Sequence, residues 1–279
     1  MKHPFFLILL TQLLWQGAAA QVSAPSLSPK MEFTQRVGLT DISISYSRPG
    51  MRGRTVFGPE GLVRYMELWR TGANAATKIS VSDDVTINDQ HLPKGEYALL
   101  SMLTADSWTL YFHPYDTGSW GRYRKRDPAL TVTAPTQQLA YLTEDFFIGF
   151  EGMSWQGAEL VLRWANTESR FKVGVDVASK MDAQITKTMN GPSKNDYFQA
   201  AVYLHESGRD LDTALEYIQK VTESEKALFF QVHREALILA DLGRKAEATA
   251  AAERSRMLSE KAGNMDFVRL NEQLLARLQ

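Results

Sequence analysis

The chain has 279 residues, a net charge of −1 and no cysteine. These facts exclude disulfides, thiol nucleophiles, iron–sulfur clusters and cysteine-ligated zinc. They also leave no global field to draw in nucleic acid or an anionic membrane.

The chain opens with Lys2 and His3, an apolar run from Phe5 to Trp15, and Ala18-Ala19-Ala20 before Gln21. A basic start, a short apolar stretch and small residues at a cleavage site predict a secretory signal over residues 1–20. The run is shorter than the roughly 20 apolar residues a membrane anchor needs. No membrane span is expected after cleavage, and the protein is expected to be exported, either to the periplasm or beyond it. The remaining length suits two domains at about 150 residues each.

Residues 21–177 read as strands. Ile42-Ser43-Ile44-Ser45-Tyr46 and Leu130-Thr131-Val132-Thr133 alternate apolar and polar side chains, as half-buried strands do. Asn88-Asp89 and Lys94-Gly95 mark turns. Ala158–Trp164 and Arg170–Val175 read as two strands joined by a hairpin at Asn166-Thr167-Glu168-Ser169. Short strands at regular spacing predict an antiparallel β-sandwich. Pro49–Thr71 lacks alternation and reads as a long ordered loop with one helical turn near Leu62–Leu68.

Residues 178–279 change character, with Ala, Leu, Glu and Lys replacing Gly and Pro. Helices are expected to end at Gly208, Gly243 and Gly263. Starts are expected at Asp212 or Thr213, at Ser224-Glu225, at Lys245 and at Asn264. Leu204, Ala214 and Ile218 recur 34 residues later as Ile238, Ala248 and Ala252. That is the period of tetratricopeptide hairpins. The fold class is thus α+β in two domains, a sandwich followed by helical hairpins.

The long loop carries Tyr46-Ser47-Arg48-Pro49-Gly50-Met51-Arg52-Gly53-Arg54-Thr55-Val56-Phe57-Gly58, then Leu68-Trp69-Arg70-Thr71-Gly72-Ala73-Asn74-Ala75-Ala76-Thr77-Lys78. These stretches, with Lys94–Leu99 and Trp108-Thr109-Leu110, resemble an exported bacterial family known as domain of unknown function 2911. The resemblance covers roughly residues 25–177 and implies no activity. It leads us to expect an Asn after the Trp108 strand, where Tyr111-Phe112-His113-Pro114 stands instead.

Arg48, Arg52, Arg54 and Arg70 offer planar cationic forks suited to carboxylate, phosphate or sulfate. Trp69 can stack on a sugar, and Asn74 adds a donor and an acceptor. These six are the candidate ligand-binding residues. Arginines pinning a loop to its own sheet would look the same, so site and scaffold both stay open. As site or as scaffold, Arg48, Arg54, Trp69, Arg70 and Asn74 are expected to converge on one side of the sandwich. No catalytic residue, metal site or cofactor is expected: there is no G-x-S-x-G, phosphate loop or H-E-x-x-H, and His91 and His113 lack ligand spacing. Asp83-Asp84 and Glu144-Asp145 read as turn residues, and Arg122–Arg126 as a solvated loop rather than a nucleic-acid patch. The expected function is a non-enzymatic envelope module, with an anionic or glycan ligand at the loop and a protein or peptide partner on the helices. The alternative is an envelope hydrolase acting on an anionic or sugar-containing substrate.

Overall fold

The computed structural model describes residues 24–189 and 191–279, so the expected signal at 1–20 lies outside the described residues. The chain divides after Asp176 into two compact units.

The first unit holds β1 (Lys30–Val37), β2 (Thr40–Ser47), β3 (Thr77–Val81), β4 (Val85–Ile87), β5 (Gln90–Leu92), β6 (Gly95–Leu103), β7 (Ser107–Pro114), β8 (Leu130–Glu151) and β9 (Gly157–Val175). They form one nine-stranded sheet in the order β1-β2-β3-β6-β7-β8-β9-β4-β5. Every pairing is antiparallel. Period 2 decides which side chains enter the core: Ile42, Ile44 and Tyr46 of β2 are buried, as are Ile79 and Val81 of β3 and Leu110 and Phe112 of β7. The sheet curls back on itself. Tyr46 Oη donates to the Ile148 carbonyl at 3.3 Å and accepts from its N–H at 3.0 Å, although β3, β6 and β7 lie between β2 and β8 in the sheet order. Asn88 and Asp89 turn β4 into β5 at φ 49° and 63°, the left-handed pair that a two-residue hairpin needs.

Several expectations change here. Asn166–Ser169 is not a hairpin but part of the continuous strand β9, where Thr167, Glu168 and Ser169 face Gln138, Gln137 and Thr136 of β8. The polar run sits in a strand because its charges are satisfied. Glu168 is only 1% exposed. It accepts from Arg170 Nε at 2.7 Å and from Gln137 Nε2 at 2.5 Å, and is paired with Arg163. Arg163 and Arg170 each also bind Glu151, at 3.0 and 2.7 Å, and Arg170 binds Glu159 at 2.7 Å. Glu144 and Asp145 likewise lie within β8 rather than in a turn. Arg122–Lys125 form a short 3-10 helix with Trp120 at its start. No helical turn forms at 62–68; Phe57 instead bridges to Val63.

The second unit holds α1 (Val177–Thr188), α2 (Lys194–Glu206), α3 (Leu211–Thr222), α4 (Phe229–Asp241), α5 (Lys245–Lys261) and α6 (Met265–Leu278). Ser193 caps α2 in a reciprocal box with Asp196. α3 starts earlier than expected because Asp210, not Asp212, accepts the Thr213 N–H at 3.1 Å. α4 starts later than Ser224, whose carbonyl takes the Ala227 N–H at 2.9 Å in a separate turn. Leu204, Ala214, Ile218, Ile238, Ala248 and Ala252 are all buried. A buried polar chain ties α4, α5 and α6 together. His233 Nδ1 donates to Asn271 Oδ1 at 2.8 Å, Asn271 Nδ2 donates to Ser255 Oγ at 2.9 Å, and Ser255 Oγ donates to the Phe229 carbonyl at 2.8 Å.

Two predictions follow from these networks. Burial raises the Glu168 carboxyl pKa, but the bonds from Arg170, Arg163 and Gln137 outweigh it and hold the group below its ordinary 4.5. Its stabilisation should therefore be whole above pH 4.5 and lost as pH falls through the depressed value. Glu168→Ala, which removes one of the two carboxylates that Arg163 and Arg170 share, should cost about 1–3 kcal/mol at neutral pH and flatten the acid limb of the Tm-against-pH curve. In the helical unit, burial pushes the His233 imidazole below its ordinary 6.5 despite the Asn271 bond. Helical circular dichroism should thus melt at lower temperature as pH falls below 6.5, with full stability above it. Asn271→Leu should cost about 1–3 kcal/mol by stranding His233 and Ser255, measured by urea denaturation.

Candidate functional site

The loop from Arg48 to Ala76 has little regular structure of its own, and its two ends borrow partners from the sheet. Met51 N–H donates to the Glu144 carbonyl and Phe146 N–H to the Pro49 carbonyl, both at 2.9 Å. Trp69 and Ser101 exchange both backbone bonds, at 2.7 and 2.8 Å, and Met66 N–H reaches Leu103 at 2.9 Å. The loop thereby occupies free ladder positions on β8 and β6. At its exit, Thr71 (φ 53°), Gly72 (φ 150°) and Asn74 (φ 60°) take positive φ. A Cβ on Gly72 would stand 2.9 Å from the Ser47 carbonyl, so only glycine fits there. Thr71 is held in its costly conformation from two sides: its hydroxyl donates to Ser101 Oγ at 3.0 Å and its carbonyl accepts from Thr77 Oγ1 at 2.6 Å.

The six predicted residues contact several different parts of the unit. The Arg48 Nε donates to the Phe146 carbonyl at 3.0 Å. Arg52 donates to the Leu27 carbonyl. Arg54 donates to the Met51 and Gly50 carbonyls at 2.9 and 2.8 Å. These three heads cap backbone acceptors instead of waiting for a ligand. Trp69 turns into the unit's centre. It stacks on Trp164 at 5.8 Å between centroids and meets Phe146 edge-on at 5.0 Å, with Trp108 at 6.2 Å; its Nε1 donates to the Gly72 carbonyl at 3.0 Å. Arg70 points elsewhere, its guanidinium carbon 5.6 Å from the Trp120 ring centroid. Asn74 reaches a concave surface, donating to Ser47 Oγ at 3.2 Å and to the Ser28 carbonyl at 3.3 Å.

That surface is a groove on the outer face of β1, β2 and β3. Its larger part, about 590 Å³, is lined by Lys30, Glu32, Thr34, Ser43, Ser45, Lys78, Ser80 and Tyr115 among others. A smaller part of about 310 Å³ adds Ser26, Ser28, Ser47 and Asn74, and shares Lys30, Ser45, Ala75 and Ala76 with the first. Register builds it: Glu32, Ser45 and Lys78 form one cross-strand row, and Thr34, Ser43 and Ser80 the next. Its charges are already paired, Lys30 with Glu32 at 2.5 Å and Lys78 with Glu96 at 2.6 Å. Lys78 Nζ also lies 4.9 Å from the Tyr115 ring centroid. The Lys30 ammonium, and then Ser45, hold the Glu32 carboxyl below its usual range. The polar half of the β2 alternation, Ser43-x-Ser45-x-Ser47, was the available sequence signal for this face; the Arg-rich loop drew attention away from it.

His113, in the Tyr111–Pro114 stretch that stands where the family pattern leads one to expect an Asn, is 3% exposed. Burial pushes its pKa down, against a bond to the Asp127 backbone, and its Nδ1 has no partner among the described residues. The described residues contain no group of three or more His, Cys, Asp or Glu that could hold a metal ion, and none of their helices is long and apolar enough to cross a membrane.

A family model described as "Protein of unknown function (DUF2911)" matches residues 28–173, more than half of the chain. The chain belongs to the DUF2911 family. The match covers nearly the whole strand unit, including the loop and the groove, and stops short of the helices. No curated protein and no solved structure matches the chain.

Trp69 is a half-buried ring that a loop packs against the aromatic core. Trp69→Ala should therefore cost about 3–5 kcal/mol in chemical denaturation. Arg54→Ala, whose bonds stay within its own turn, should cost about 1 kcal/mol. Equal costs for the two would contradict this placement.

Proposed function

We propose that the strand unit is a non-enzymatic binding module of an exported protein, and that its groove takes an extended, hydroxyl-rich ligand of the glycan class. The observation that carries this reading is the groove's lining: two cross-strand rows bearing Thr34, Ser43, Ser45 and Ser80, an aromatic wall at Tyr115 and the Asn74 amide at the far end. Hydroxyls and an amide match sugar hydroxyls in both donor and acceptor sense, and an aromatic ring offers a platform for a pyranose face. Because Lys30 and Lys78 already have carboxylate partners, the groove favours a neutral chain over an anion.

Glu32 is the one carboxylate lining the groove, and its depressed pKa suits it poorly to act as a general acid near neutral pH. That supports binding over hydrolysis. For the helical unit we propose partner recruitment. α2 and α4 start 35 residues apart and α3 and α5 start 34 apart, a spacing in keeping with tetratricopeptide hairpins and the concave faces such repeats build.

Calorimetric titration with neutral N-acetylglucosamine and glucose oligomers tests the groove. Saturable binding that changes little with salt is expected, with Tyr115→Ala weakening it at least tenfold, about 1.4 kcal/mol, and Asn74→Ala weakening it less. No binding of any neutral oligomer, or binding indifferent to Tyr115→Ala, would overturn the proposal.

A further inference from the structure

The described arginines of the loop divide by what their heads touch. Arg48, Arg52 and Arg54 spend theirs on backbone carbonyls, and Arg64 lies 3.7 Å from Glu67. Arg70 has no acceptor among the described residues, and its Nε is buried without a hydrogen-bond partner. Buried donors are almost always satisfied, so an orphan of this kind calls for an occupant.

Arg70 shares its aromatic partner with a second arginine. Its guanidinium carbon and that of Arg124 lie 5.6 and 5.4 Å from the ring centroid of the same residue, Trp120. The indole attracts both cations but neutralises neither. Arg122, in the same 3-10 helix, acts on the Asp116 carboxylate through its charge. The nearby Asp116 is engaged by Arg126 at 2.6 Å.

The platform is firmly held. Trp120 packs against the cluster of Ala76, Ala98, Leu100 and Tyr123. The buried Tyr123 hydroxyl accepts from the Asp116 and Thr117 N–H groups at 3.1 and 3.0 Å and donates to the Thr117 carbonyl at 2.7 Å. A cation pair on a fixed base suits recognition because little must be ordered on binding.

We propose that Arg70 and Arg124 form an oxyanion site at Trp120, distinct from the groove, which takes a sulfate, phosphate or carboxylate group. The forked N–H donors of the two guanidinium groups match two or more oxygens of such a group. The ligand's source is either a free anion or an anionic substituent on a larger molecule, and the two are separable by experiment.

The test follows the arginine Nε–H signals of the ¹⁵N-labelled chain by NMR while inorganic sulfate replaces chloride at constant ionic strength. A saturable shift of the Arg70 Nε–H is expected. Arg124→Gln, a change at an exposed side chain, should weaken it at least tenfold. Arg70→Lys, which keeps the charge and loses both the fork and this signal, should weaken the binding as read from the Arg124 Nε–H. Arg36→Gln, at an arginine occupied by Asp41, should leave it unchanged. A second titration uses sulfated and unsulfated forms of one oligosaccharide: tighter binding of the sulfated form than of inorganic sulfate, lost in Arg124→Gln, identifies a substituent, and equal binding identifies a free anion. A non-saturating shift, or an affinity that Arg124→Gln leaves unaltered, overturns the site.

Discussion

The strand unit depends on how a loop of nearly thirty residues satisfies its backbone. A segment with few internal hydrogen bonds costs about 1–2 kcal/mol of entropy per ordered residue, and its polar groups have to find partners. Here the loop is anchored as surrogate strand at both ends. Pro49 and Met51 use the free edge of β8 at Glu144 and Phe146, and Met66 and Trp69 use the far end of β6 at Leu103 and Ser101. With those ends fixed, Trp69 can insert between Trp108, Trp164 and Phe146, and the curled sheet acquires its aromatic centre. Tyr46 closes the same region from β2 by taking both backbone groups of Ile148. The loop, the core and the sheet's curvature are one arrangement.

Charge in this unit is used in three distinct ways. In the β8–β9 hairpin, Arg163 and Arg170 share Glu151 and Glu168 in a partly buried network. In the loop, Arg48, Arg52 and Arg54 act as long donors that cap carbonyls the ladders leave open. On the outer face, Lys30 and Lys78 are matched by glutamates and leave the groove nearly neutral. Only around Trp120 does positive charge accumulate without a protein counterpart among the described residues. Local pairing, rather than the count of arginines, separates scaffold from candidate site.

Much of this was legible beforehand, for physical reasons. Alternation along Ile42–Tyr46 records which side chains the sheet buries, and it holds in β2, β3 and most of β7. Gly208, Gly243 and Gly263 sit at φ 65°, 72° and 70° just past their helices, where sequence reasoning placed the stops. What misled were features whose meaning lies in distant residues. Asn166–Ser169 has turn composition, and only Arg163, Arg170 and Gln137 make it acceptable inside β9. Glu144-Asp145 looks like a turn until the loop residues Gly50 and Met51 arrive beside it. Trp69, surrounded in sequence by arginine and glycine, carries no local sign that three other rings enclose it. The groove was half legible: the serines of β2 were visible, but their alignment with Thr34 and Ser80 depends on register across three strands.

The residues that carry the family resemblance mark the places where the loop would fail if altered, and this bears on how the family's function should be sought. Tyr46 bonds Ile148, Arg48 bonds Phe146, Gly72 clears the Ser47 carbonyl, and Thr71 binds Ser101 while held in a left-handed conformation. Each of these roles is met within the chain and calls for no ligand. A motif of this kind identifies a fold more readily than a reaction. Asn74 is the exception within it: exposed, at positive φ, with its amide directed at the mouth of the smaller groove. The turn built by Thr71 and Gly72 holds that amide over the outer face, so the scaffold role of the motif and the proposed binding role of the groove meet at one residue.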